Sequence, residues 1–126
     1  TPLYSSAASD VYKRQEAGSP TKVFCYSGDG MFTPTASKLY TNADLLVHEA
    51  YTSDGTVKNP RGETVTIGTK THCSLQQLER LDDMARPKKM ALIHSNRKLR
   101  EEKKDILKKY RQRRWIMPDA GEVIEL

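Results

Sequence analysis

Long apolar runs are missing from this sequence. Among its 126 residues there is no run of about 18 apolar positions, so nothing qualifies as a membrane-spanning helix. No charged-then-apolar leader opens the printed residues. Cysteine is scarce: Cys25 and Cys73 lie far apart without CxxC spacing, which argues against a disulfide framework. They read as two buried or half-buried free thiols, and a reduced, cytoplasmic compartment fits them. Histidine is nearly as scarce, with three in all. Internal repeats are absent. The apolar fraction of 37% and mean hydropathy of −0.71 are on the polar side for a globular domain, without the signature of disorder.

Positive charge is present in excess and in one place. The net charge is +5, which favours an anionic partner. Between Arg97 and Arg114 ten Lys or Arg face only Glu101, Glu102 and Asp105, an excess of seven that exceeds the charge of the whole chain. A run of this kind usually marks a solvated helix face, since long cationic side chains point outward. The alternative is a surface for a polyanion.

The N-terminus has a different character. Back-translated, DVYKRQ (Asp10–Gln15) fits GAT GTG TAT AAG AGA CAG, which resembles the end of a transposon-based sequencing adapter, and the preceding SSAAS fits the bases upstream. Thr1–Gln15 is therefore expected to be adapter-derived or a disordered tail, with the domain proper in Glu16–Leu126.

Within that domain the pattern alternates strands and helices. Lys22–Tyr26 (KVFCY), Leu45–His48 (LLVH) and Met90–Ile93 (MALI) are short, apolar and β-rich, as buried strands are. A short helix is expected over Thr35–Asn42 after Pro34, and a long loop over Tyr51–Thr71 with a small hairpin near Thr64–Ile67. Leu75, Leu78, Leu81 and Met84 recur every third residue, giving a helix begun by Ser74 and stopped by Pro87. Ser74 and Gln77 have the spacing of a capping box. A charged helix follows over Leu99–Tyr110, then short strands at Trp115–Met117 and Val123–Leu126. The order is that of an α/β fold.

The chemically capable residues cluster at strand ends. Asp29 follows KVFCY, His48 and Glu49 end LLVH, and His94 follows MALI, the tips where α/β proteins place their sites. His72 opens the helix at Ser74. Singly, each has a plain reading: a turn aspartate, a histidine bonded to a carbonyl, a capping segment. Their joint order along the chain is harder to dismiss.

The run FCYSGDG, NADLLVHEAY, THCSLQQL and KKMALIHSN resembles the C-terminal half of the metallo-β-lactamase-fold hydrolases, in particular the ribonuclease Z branch. Ser27-Gly28-Asp29-Gly30 is similar to that family's SGDT, His48-Glu49-Ala50-Tyr51 to HEAT, His72-Cys73-Ser74 to HST, and Ile93-His94-Ser95-Asn96 to its THFS-type strand end. Gly30, Tyr51 and Cys73 depart from it. The family's HxHxDH loop is not in this sequence. The resemblance implies an α/β fold that is the C-terminal half of an αββα sandwich, the N-terminal half being supplied from elsewhere.

The same resemblance implies a zinc-dependent phosphodiesterase or endoribonuclease, with precursor-tRNA 3′-end processing its expected reaction. Asp29 and His94 would be metal ligands at a two-zinc centre, and Glu49 would orient His72 as the catalytic acid. His48 would be structural. Lys103, Lys104, Lys108 and Lys109 would bind the substrate backbone. RNA is the expected partner, a homodimer is left open, and no membrane is involved. The fragment alone is expected to be inactive. Other readings are a small-molecule hydrolase such as a cyclic-nucleotide phosphodiesterase, or a non-catalytic remnant that binds RNA or protein.

Overall fold

A computed structural model describes residues 10–14, 21–28, 30, 33–67 and 72–126. Its main sheet has five strands in the order β1-β2-β3-β6-β7. These are β1 (Asp10–Arg14), β2 (Lys22–Tyr26), β3 (Leu45–Glu49), β6 (Met90–Ile93) and β7 (Trp115–Ile116). β2, β3, β6 and β7 run parallel, while β1 is antiparallel on the edge. The chain is thus α/β, with a mainly parallel sheet. β1 falls in the segment expected to be adapter-derived; its pairing uses main-chain groups, which any five-residue strand offers to an open edge.

The two central strands are buried almost throughout. Leu45, Leu46, His48 and Glu49 in β3, and Met90, Ala91 and Leu92 in β6, are buried. Parallel strands covered on both faces read as continuous apolar runs, which is why LLVH and MALI are recognisable. β2 is only half covered.

Helix α1 (Pro34–Leu39) links β2 to β3. Thr33 caps it by accepting from Ala36 N–H at 3.1 Å, and Pro34 supplies its first turn. Helix α2 (Leu75–Ala85) links β3 to β6. The Ser74 side chain accepts from Gln77 N–H at 3.2 Å, and Gln77 Oε1 accepts from Ser74 N–H at 2.9 Å, so the capping box is complete. Leu75, Leu78, Leu81 and Ala85 are buried in one cluster with Leu46, Met90 and Leu92. Met84, counted in the apolar pattern, is exposed instead. The helix ends at Arg86 in the left-handed region, just before Pro87.

Before α2 the chain forms a two-stranded hairpin, β4 (Thr56–Lys58) with β5 (Thr64–Thr66), where a small hairpin was expected. After β6 the expected single helix is two, α3 (Arg97–Glu101) and α4 (Lys103–Lys109). They meet at Glu102, which leaves helical geometry (φ −91°, ψ 11°) and serves both helices: its N–H donates to Lys98 O, and its carbonyl accepts from Ile106 N–H. The expectation of a strand at Val123–Leu126 is corrected. These residues pair with no strand, Val123 is 82% exposed, and after a tight turn at Gly121 (φ 85°) closed by Glu122 N–H on Asp119 O the tail is met by the Lys89 ammonium at Glu125 O (2.8 Å), not by a strand's main chain. No helix among the described residues is long and apolar enough to cross a membrane.

Candidate active site

Three chain segments converge at the C-terminal ends of β3 and β6. Ala50 N–H donates to Ile93 O at 2.9 Å, carrying the β3–β6 pairing one residue past the strand. Tyr51 N–H donates to Cys73 O at 2.8 Å, and Asn96 N–H donates to Tyr51 O at 3.0 Å. Leu75 N–H donates to Thr52 O at 2.9 Å. The backbone around Tyr51 therefore ties the start of α2 and the turn after β6 to the end of β3.

Glu49 lies at the centre and is fully buried. One carboxylate oxygen accepts Nδ1–H of His72 at 2.7 Å, and the other accepts Cys73 N–H at 2.6 Å. A buried carboxylate is tolerated only with such donors. With Nδ1 engaged by Glu49, the Nε2 of His72 is the atom that can exchange a proton or bind a metal. The ring of Tyr51 stacks on His72 at 4.2 Å between centroids and an 18° interplanar angle. His72 is thus held at its edge by Glu49 and at its face by Tyr51.

His94 completes the group. Its Nε2 is 3.9 Å from Glu49 Oε1, and its ring lies 5.6 Å from His72 and 5.8 Å from Tyr51. Its backbone is left-handed at φ 56°, an uncommon state for a residue with a side chain, and one found at sites where position is over-determined. The bend places His94 just past the C-terminal end of β6, where its side chain is 42% exposed.

His48, beside Glu49 in sequence, plays a different part. It is buried, and its Nδ1–H donates to Glu49 O at 2.9 Å. Burial pushes its pKa down to about 4, partly offset by that bond, so the ring is neutral and structural. Cys25 and Cys73 are buried and are not joined in a disulfide. Burial pushes the Cys25 thiol up to about 11, which makes it unreactive.

Of the residues expected to act, the structure brings Glu49, His72 and His94 together. One donor atom of each lies within 4.8 Å of the others, so the three form a group that could hold a metal ion. Nitrogen and carboxylate donors suit zinc, but three fall short of the usual four, and both Glu49 oxygens already accept hydrogen bonds. The donor set therefore fits part of a metal centre. Asp29 lies outside the described residues. Lys103, Lys104, Lys108 and Lys109 lie on α4, away from the strand ends in sequence. Lys103 pairs with Asp119 at 3.2 Å, and Lys109 lies over the Tyr110 ring at 5.1 Å. Tyr51 is the member of the cluster that sequence reasoning left without a role. Its only signal was that it stands where the resembled motif has Thr.

No family model and no curated protein matches the chain. Solved structures that align with it include the metallo-beta-lactamase fold protein YhfI from Bacillus subtilis, at 18% identity and TM-score 0.48, over 68% of this chain and 30% of that one. Human tRNase Z, short form (ELAC1), aligns at 23% identity and TM-score 0.44, over 63% of this chain and 29% of that one. The chain spans less than a third of the length of either.

Proposed function

We propose that this chain is the C-terminal, proton-donating half of a metal-dependent phosphodiesterase of the metallo-β-lactamase fold, of the ribonuclease Z kind, acting on precursor tRNA. The observation that carries the reading is the buried Glu49 bonded to His72 at 2.7 Å, with His94 beside them at the C-terminal ends of the strands. That is the juxtaposition which the HEAT-, HST- and THFS-like motifs imply.

In this reading His94 and Asp29 offer a nitrogen and a carboxylate to zinc, and an upstream HxHxDH segment offers the rest. Zinc held by these residues would supply Lewis-acid activation of the attacking water and of the phosphodiester. The chain's own residues handle the proton. Glu49 fixes the His72 tautomer through the Nδ1–H bond, leaving Nε2 turned to the reaction. His72 gives a proton from Nε2 to the departing 3′-oxygen and recovers it from water. Tyr51 prevents the ring from rotating away from that line. The α4 lysines add to the positive field that draws in the polyanion.

The test joins this chain to an HxHxDH-bearing upstream half and measures bound zinc and cleavage of precursor tRNA. The reading expects both in the joined protein, and neither tight zinc nor hydrolysis in the 126-residue chain alone. A joined protein that holds zinc yet cuts no phosphodiester would overturn it.

A further inference from the structure

A second cationic feature lies next to the histidine cluster, and it is not on α4. Between the β4–β5 hairpin and the start of α3 there is a cleft of about 640 Å³. Tyr51 forms one wall, and Lys58, Arg97 and Lys98 line it with Asp54 and Asn96. Lys58 comes from the hairpin, whereas Arg97 and Lys98 follow the His94 turn, so two separate segments bring cations to one concavity.

The charges in the cleft are unevenly committed. Asp54, its acid, accepts from Thr56 N–H at 3.0 Å and from Thr56 Oγ1 at 2.7 Å, which ties the carboxylate to its own turn. Lys58 Nζ donates to Thr64 Oγ1 at 2.6 Å, fixing the ammonium across the hairpin without neutralising it. Arg97 meets Glu101 through Nε at 3.0 Å, and a guanidinium has further donors on its two terminal nitrogens. Lys98 makes no ion pair among the described residues. Lys58, Arg97 and Lys98 stand against Asp54, whose carboxyl is lowered in pKa first by its bonds to Thr56 and also by Lys98, and against Glu101 on Arg97, so the cleft keeps an excess of one positive charge with donors left over for an anion. Tyr51 also stacks on His72 at 4.2 Å, so the cleft and the proton donor share a wall.

We propose that this cleft binds the phosphate backbone of a single-stranded nucleic acid through Lys58, Arg97 and Lys98, and leads the strand past Tyr51 to His72. The proposal rests on the phosphodiesterase reading for what happens at His72, but the binding itself does not. Contacts of this type position a backbone without reading its sequence, and each one displaces counterions. The α4 lysines then attract the strand from a distance, and the cleft holds it.

The experiment measures binding of a labelled ten-nucleotide oligouridine to the full chain by fluorescence anisotropy over a salt series. The combined Lys58→Gln, Arg97→Gln and Lys98→Gln variant should bind about tenfold or more weakly, with its salt slope reduced by about two, since single strands lose roughly 0.7 per phosphate contact. The combined Lys103→Gln, Lys104→Gln, Lys108→Gln and Lys109→Gln variant should lose less. Lys38→Gln, an exposed cation on α1 outside the cleft, should bind the oligonucleotide as the parent does, and because the readout is binding alone it separates this inference from the catalytic one: hydrolysis can fail while binding stands. Wild-type affinity and slope in the cleft variant would overturn the proposal. So would equal losses in the two variants, or binding of inorganic phosphate without binding of the oligonucleotide.

Discussion

The strand-end cluster and the basic segment Arg97–Arg114 carry opposite kinds of information. At the strand ends few charged groups are present, and each has a fixed partner: Glu49 with His72 and Cys73 N–H, His48 with Glu49 O. In the basic segment charges are dense, but their partners are scattered. Arg97 pairs with Glu101, Lys103 with Asp119, and Arg113 with Asp82 and Asp83 on α2. Burial makes an unpaired polar group costly, so the interior admits few arrangements. Water removes that cost at the surface, so charge density there says little about where a ligand sits.

This contrast is open to direct attack, first where the effect should be largest. Glu49→Ala leaves Cys73 N–H and His72 without their acceptor, and should lower unfolding free energy by on the order of 3 kcal/mol. Urea denaturation measures it. A loss below about 1 kcal/mol would mean that the buried cluster is no more constrained than the surface.

The next effect depends on pH. His48 stays neutral when folded down to about 4, whereas in the unfolded chain it takes up a proton near 6.5. The unfolded state therefore binds more protons in that window, and acid destabilises the fold. The loss is roughly 3 kcal/mol over the descent, and above the unfolded pKa this residue adds no slope. His48→Gln should flatten the stability curve between those two values. An unchanged slope would show that His48 is not the buried neutral group described here.

Smaller effects should come from the basic segment. Arg113 is half-buried against Asp82 and Asp83, both at 2.9 Å, so Arg113→Ala should cost about 1 kcal/mol in thermal or urea denaturation. Lys104→Gln with Lys108→Gln should change stability by less than about 0.5 kcal/mol, because both are exposed and make no ion pair among the described residues. If those lysines prove as costly as Arg113, the surface is more organised than its contacts indicate.

What could be read from the sequence follows the same divide. LLVH and MALI were legible because central parallel strands are apolar on both faces. Ser74 and Gln77 were legible because a capping box is local in sequence. The break at Glu102 was not, since no Gly or Pro marks it. Val123–Leu126 has strand-like residues, but pairing needs main-chain partners, and here the contact to the sheet region is a side chain, Lys89 on Glu125 O. Glu49 and His94 at strand ends, and His72 just before α2, were legible as chemically capable positions. Tyr51 on His72, and Lys58 near Arg97, were not, because they depend on how two loops fold against one strand end.

The identity of His72 as proton donor or metal ligand decides the account, since its donor atom lies within reach of both Glu49 and His94. In protein carrying the complete metal centre, zinc content should be measured beside turnover for His72→Ala and Asp29→Ala. His72→Ala should keep its zinc and lose about 10²–10⁴-fold in turnover; Asp29→Ala should lose both. Equal zinc loss in the two variants would make His72 a ligand and contradict the proton-donor role.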